Sequence, residues 1–263
     1  MPPVQLLQLT DTHLYSDAAG EAYGVNTARS LDRVLASVFA GPGPRPDAIV
    51  VTGDVSDDLS AGSYLRLREA LGNRGAPVHC LPGNHDDPRL MAELLGSDGF
   101  RYCGSAELAG WGLVTVDTHL HGEVGGWISG AALDRLDRDL ATRRDRPVIV
   151  AMHHPPAAIG SAWLDRIGLG NATEFLEVVA RHPQVRAVIA GHVHQVFDEL
   201  RGTVRVMTAP STCVQFAPGT AAFAVDPRPP GYRWLTLYED GAITTEAAWI
   251  EGMPAGAGPA RSG

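Results

Sequence analysis

The chain has 263 residues, 44% hydrophobic and 19% charged, a balance that supports a sizeable core and excludes disordered chains and disulfide-stapled miniproteins. Its 30 acidic and 21 basic residues leave a net charge of -9, a field that repels nucleic acid and suits a small anionic substrate drawn to a metal. No run nears the roughly 18 apolar residues of a membrane span, no basic-then-apolar leader opens the chain, and three cysteines without a C-x-x-C pair fit a reducing, cytoplasmic compartment.

Val4–Leu9 opens the sequence as a short apolar run of the kind found in buried strands. Leu31, Val34, Leu35, Val38 and Phe39 then recur at helical spacing and predict an amphipathic helix. Residues 48–52, 78–81 and 113–116 predict three more buried strands, and Leu133, Leu136 and Leu140 a second helix. A strand is expected at 148–152 and another at Val185–Ala190. Between them, Asn171 with Glu174 three residues on, ahead of Phe175, Val178 and Val179, has the form of a capping box. Residues 233–238 and Ile243–Trp249, joined through Asp240-Gly241, predict a hairpin. Alternating strands and helices followed by a hairpin predict an α/β chain with mixed sheets and helical outer layers. Residues 1–251 read as one domain, and 252–263, GMPAGAGPARSG, as a disordered tail with nothing to bury.

Metal-capable residues follow five of the predicted strands. They are Asp11 and His13; Asp54; Asn84, His85 and Asp86; His153 and His154; and His192 and His194. Ligands of open α/β sheets bind outside the carboxyl ends of strands, so these loops are expected to converge. Two aspartates, an asparagine and four histidines, with Asp54 able to bridge, would hold two cations and generate a hydroxide near neutral pH. The thiolate-free, imidazole-rich set suits Fe, Mn, Zn or Co better than Mg.

The ordered set Asp11-x-His13, Gly53-Asp54, Gly83-Asn84-His85-Asp86, His153-His154-Pro155 and Gly191-His192-Val193-His194 resembles the calcineurin-like metallophosphoesterase superfamily. Within it, the sequences at 10–14, 122–126, 163–165, 210–216 and 228–234 are similar to the bacterial class III 3',5'-cyclic-AMP phosphodiesterases. The resemblance implies a four-layer αββα sandwich. It also implies a dinuclear enzyme that hydrolyses cyclic AMP to 5'-AMP through a metal-bridging hydroxide. By the same resemblance, Asp11, His13, Asp54 and His194 bind one metal, iron in this family, and Asp54, Asn84, His153 and His192 bind a second, manganese or iron. His13, Asp54, Asn84, His85 and His194 would contact the substrate, with His85 the general acid and Asp86 its orienting partner.

Alternatives stay open at this level. The same metals would serve a 2',3'-cyclic nucleotide or a glycerophosphodiester, and the fold would also suit a non-catalytic metal-binding scaffold. His154 is expected to support the neighbouring loop and not to ligate. His79 is expected to point into or across a sheet, His182 to end a helix, and His119 and His121 to lie in a solvated loop. Cys213 reads as a small buried hydrophobe, and Trp163 and Phe216 as core aromatics that are also candidate platforms for an adenine base. The sequence leaves the oligomeric state open.

Overall fold

The computed structural model describes residues 2–40 and 43–252, so the expected tail from 253 onward lies outside the described residues. Two six-stranded sheets stack face to face. In the first, the strands run edge to edge as Ile243–Trp249, Gly231–Leu237, Val4–Leu9, Ala48–Val51, Val78–Cys80 and Phe100–Tyr102. In the second the order is Phe197–Arg201, Val204–Thr208, Val185–Ala190, Val148–Ala151, Trp111–Thr115 and Gly104–Leu108. Pairing is parallel from Val4–Leu9 through Phe100–Tyr102 in the first sheet and from Val204–Thr208 through Trp111–Thr115 in the second; the remaining pairs, Val4–Leu9 with Gly231–Leu237 and the edge hairpins, are antiparallel.

Strand side chains alternate between faces, and that period sorts the core into three layers. Val4, Leu6, Ala48, Val50, Ile149, Ala151, Ala187 and Ile189 meet between the sheets. Their neighbours Leu7, Leu9, Ile49 and Val51 turn outward onto the helices Thr27–Ala40, Ala61–Leu71 and Pro88–Leu94. On the other side Val114, Val148, Val150 and Val188 pack beneath Gly130–Ala141 and Ala172–Ala180. Because both faces are covered, most inner strands read as mainly apolar runs and were visible in the sequence, whereas Val204–Thr208, an inner strand broken by Arg205, was not. The layers make the αββα sandwich.

Helix starts follow local chemistry. Ser60, Asp87 and Ser129 each accept a hydrogen bond from the backbone of the first turn, and Pro88 follows Asp87 at the position where a missing N–H costs nothing. The capping box at Asn171 is not formed. Asn171 precedes the helix, but its amide accepts from Ile128 N and donates to Ile128 O, so it ties that helix to a neighbouring loop. At the hairpin tip Gly241 takes φ +84° and Asp240 accepts from Ala242 N, as the Asp-Gly pair suggests.

Among the described residues, no helix is long and apolar enough to cross a membrane. Cys80, Cys103 and Cys213 are unpaired thiols, Cys80 and Cys213 fully buried.

Candidate metal centre

Each expected ligand lies just beyond the carboxyl end of a strand, and both sheets contribute. Asp11, Asp54 and Asn84 follow strands of the first sheet; His153, His192 and His194 follow strands of the second. Loop backbones knit the two together: Asp11 N donates to Gly53 O, His13 N to Asp54 O, and His192 N to the Asp11 carboxylate at 3.1 Å. Asp11, His13, Asp54, His192 and His194 all hold left-handed backbone, with φ between +45° and +70°. That conformation costs on the order of 1–3 kcal/mol per non-glycine residue, and such strain collects at functional sites. Gly83 shows the crowding, since a Cβ there would overlap Asp54 Oδ1.

The side chains converge as expected. His194 Nε2 stands 3.4 Å from Asp11 Oδ1 and 3.2 Å from His13 Nε2, which is 3.8 Å from Asp54 Oδ2. The same Asp54 Oδ2 lies 3.4 Å from His153 Nε2. Asn84 Oδ1 lies 3.1 Å from His153 Nε2 and 3.0 Å from His192 Nδ1. Asp54 thus faces both groups and is placed to bridge them.

The donor set fits two cations. His153 Nδ1 donates to Thr52 O, His194 Nδ1 to Val214 O, and His13 Nδ1 to Asp57, each at 2.7–2.9 Å. Those bonds put the proton on Nδ1 and leave Nε2 a bare lone pair, the tautomer a metal takes. Two such lone pairs face each other between His13 and His194, and a third faces the carbonyl oxygen of Asn84. Acceptor against acceptor at this range needs a proton or a metal cation between. Buried His192 Nε2 also has no hydrogen-bond partner, a polar demand that protein atoms leave unmet.

The cluster's electrostatics carry the same signature. Burial would raise the Asp54 carboxyl, but the imidazoles of His153, His85 and His13 overcome it and hold Asp54 well below the carboxylate range. Burial likewise raises Asp11, yet His194 and His153 bring it down. Burial alone would lower His13 and His153; Asp57 and Asp54 instead lift His13 to about 8, and Asp54 lifts His153 to about 9. Carboxylates buried without a cation can only recruit protons onto neighbouring imidazoles.

His85 stands at the rim, its side chain 45% exposed, with its backbone N–H donating to Asp54 Oδ1 at 2.9 Å. Asp86 does not orient it. The Asp86 carboxylate is buried and accepts from Val55 N, Ser56 N and Gly83 N, which binds two ligand loops together. Burial and the nearby Asp54 push its carboxyl up to about 6. The carboxylate beside the His85 ring is Asp57, whose Oδ1 is 3.4 Å from His85 Nδ1. Asp57 also accepts from the Tyr15 hydroxyl. Sequence reasoning missed it because Asp57-Asp58 reads as a polar turn; its three-residue spacing from Asp54 was the available signal.

The other expectations sort cleanly. His154 has both nitrogens engaged, Nδ1 with Thr118 Oγ1 at 2.8 Å and Nε2 with Val124 O at 3.0 Å. Burial and neighbouring His153 hold it down at about 3, so it packs as a neutral brace. His79 faces the layer between the sheets, where burial lowers it to about 4. His182 follows the end of the helix Ala172–Ala180 and ties it to the helix Gly130–Ala141 by pairing with Asp137 at 2.7 Å. His119 and His121 line a surface cleft that also reaches Asn84 and Arg89. Phe216 is 7% exposed and stacks on His194 at 4.1 Å, and Trp163 donates to Thr220 Oγ1 while packing edge-on against Phe216. These two rings buttress the centre. They also line a cavity of about 110 Å³ whose walls include His13, Asp54, Asn84, His85, His192 and His194.

Known proteins share this organisation. The family profile described as calcineurin-like phosphoesterase matches residues 4–196. The chain is 41% identical over 249 residues to the 3',5'-cyclic adenosine monophosphate phosphodiesterase CpdA of Pseudomonas aeruginosa, covering 94% of this chain and 90% of that protein. It is 35% identical over 252 residues to a 3',5'-cyclic-nucleotide phosphodiesterase of Nostoc sp., covering 96% and 93% respectively. Among solved structures, a dimetal phosphatase from Danio rerio superposes with a TM-score of 0.68 at 16% identity, over 95% of this chain and all of that one, a likeness of fold. On the profile match, the near full-length identity and the ligand loops in family order, this chain belongs to the calcineurin-like phosphoesterases.

Proposed function

We propose that the protein is a dinuclear phosphodiesterase that hydrolyses 3',5'-cyclic AMP to 5'-AMP in the cytoplasm, where three unpaired thiols fit a reducing compartment. The observation that carries the reading is the meeting of a two-cation donor set with one exposed imidazole at its rim. Asp11, His13, Asp54 and His194 would hold one metal, and Asp54, Asn84, His153 and His192 the other, as iron with iron or manganese. Cations held there would supply a hydroxide near neutral pH and neutralise the phosphoryl oxygens.

The chain's own groups do the rest. With Nδ1 turned to Asp57, His85 offers Nε2 to the substrate. A ribose alkoxide is a poor leaving group, and a proton from His85 to O3' would contribute about 10²–10⁴-fold. Burial lowers the His85 imidazole and Asp54 partly restores it. Asp57 keeps the ring aimed, and Asn84 and Asp54 fix the floor of the site. The relatives named for cyclic nucleotides support this substrate class.

The test pairs metal analysis of protein purified without chelator with a cyclic AMP hydrolysis assay. Two metals per chain and 5'-AMP as product are expected. Turnover of a 2',3'-cyclic nucleotide or a glycerophosphodiester, with cyclic AMP untouched, would overturn the substrate assignment. A metal-loaded chain inert to all three would make it a scaffold.

A further inference from the structure

Two aromatic rings open onto the metal cavity without serving the ligands. Tyr23 and Phe223 stack on each other at 5.4 Å and 28°, and remain 41% and 40% exposed. They line the same cavity as the ligand set and lie one ring further out than Phe216, which is T-shaped to both at 6.0 and 5.3 Å. Solvent-facing aromatics beside a polar centre need a reason, because burying them would be favourable.

The backbone presenting Tyr23 adds one. Glu21–Ala22 and Val25–Asn26 form a small hairpin in which Ala22 pairs with Val25, leaving Tyr23 and Gly24 as the loop. Both take left-handed backbone, with φ +51° and +77°. Such two-residue turns favour Asn, Asp or Gly at the first position, where a bulky ring is strained. The chain tolerates that strain and gains a ring held over the cavity mouth. Apart from the ligand set and His85, the cavity lining is aromatic and aliphatic, so it offers π faces and no charged group for reading base edges.

We infer that Tyr23 and Phe223 form the platform on which the substrate's nucleobase stacks while its phosphate lies over the ligand cluster. The inference deepens the cyclic-nucleotide reading and rests on it. It makes the site selective for phosphodiesters that carry an aromatic base, and tolerant of which base, because every base has a π face. Trp163 and Phe216, the rings the sequence suggested, also line the cavity, but they are less exposed and pack edge-on against Phe223.

The experiment compares two competitive inhibitors identical except for the base, adenosine 5'-monophosphate and ribose 5-phosphate. Their inhibition constants are measured on metal-loaded enzyme with bis(4-nitrophenyl) phosphate as reporter. Wild type should prefer the nucleotide by about five- to hundredfold, the range that stacking of one base on an aromatic side chain gives. Tyr23→Ala and Phe223→Ala should each pull that ratio toward one, and Tyr23→Phe should keep it. The ratio does not depend on how much enzyme is folded. If an alanine variant does not fold, Tyr23→Leu keeps the volume, removes the π face and gives the same readout. A ratio unmoved by these substitutions, or no preference in wild type, would overturn the platform. Loss of cyclic AMP turnover with the nucleotide preference intact would instead remove the proposed reaction and leave the platform standing.

Discussion

Asp57 Oδ1 lies 3.4 Å from His85 Nδ1, which ties the proposed acid to a carboxylate and not to the neighbouring Asp86. The same oxygen accepts from His13 Nδ1 at 2.9 Å, so one side chain aims both a ligand and the acid. Asp57→Asn keeps the shape and removes the charge. It should lower kcat by about tenfold to a hundredfold, and His85→Ala by about 10²–10⁴-fold, with KM little changed. Metal content measured beside the kinetics decides the roles. Full occupancy in His85→Ala is expected, and loss of both metals there would make His85 structural.

Asp54 faces both halves of the donor set, so Asp54→Ala should abolish turnover and leave less than one metal per chain. Retention of two metals with measurable turnover would contradict a bridging role.

Asp86 should behave differently from Asp57. Its carboxylate satisfies three buried backbone N–H groups, and leaving such donors unpaired costs about 1–3 kcal/mol each. Asp86→Ala should therefore unfold several degrees lower by calorimetry. A variant as stable as wild type with impaired turnover would return Asp86 to the chemistry.

The cations should clasp the two sheets together, because each would draw ligands from both. A ligand that binds only the folded state stabilises by mass action, about 4 kcal/mol at a thousandfold excess over Kd. Chelation should lower Tm markedly, and readdition of Mn²⁺ or Fe²⁺ should restore it. An unchanged Tm would mean that no cation is held.

His79 gives a pH signature apart from catalysis. Burial, with some help from Arg101, lowers it to about 4, below its unfolded value near 6.5, so the unfolded chain binds the extra proton between those limits. Stability is full above pH 6.5 and falls as pH drops toward 4, by at most about 3 kcal/mol. His79→Leu should flatten that part of a plot of Tm against pH, and an unchanged slope would place the titration elsewhere.

How far the sequence spoke depended on what each segment buries. Val4–Leu9 and Val185–Ala190 were legible to the residue because strands covered on both faces are mainly apolar, broken here only by Gln5, Gln8 and Arg186. Residues 48–52, 78–81 and 148–152 overran by one, since the strands end at Val51, Cys80 and Ala151 while Leu81 and Met152 continue the apolar pattern into the core. Gly104–Leu108 and Phe197–Arg201 were missed: both are edge strands, mostly exposed and polar, without alternation to detect. The ligand residues were legible through their motifs. Asp57, Tyr23 and Phe223 were not, because their importance comes from loops meeting in space.

The left-handed backbone at Asp11, His13, Asp54, His192 and His194 means that these groups are aimed by main-chain geometry as much as by rotamer. Side-chain drift can be absorbed by rotation about χ angles, but a one-residue insertion or deletion in any of these loops would swing a ligand away from its neighbours. These three loops should therefore hold their lengths more tightly than their composition, and a library varying loop length should lose metal where one varying the flanking residues keeps it.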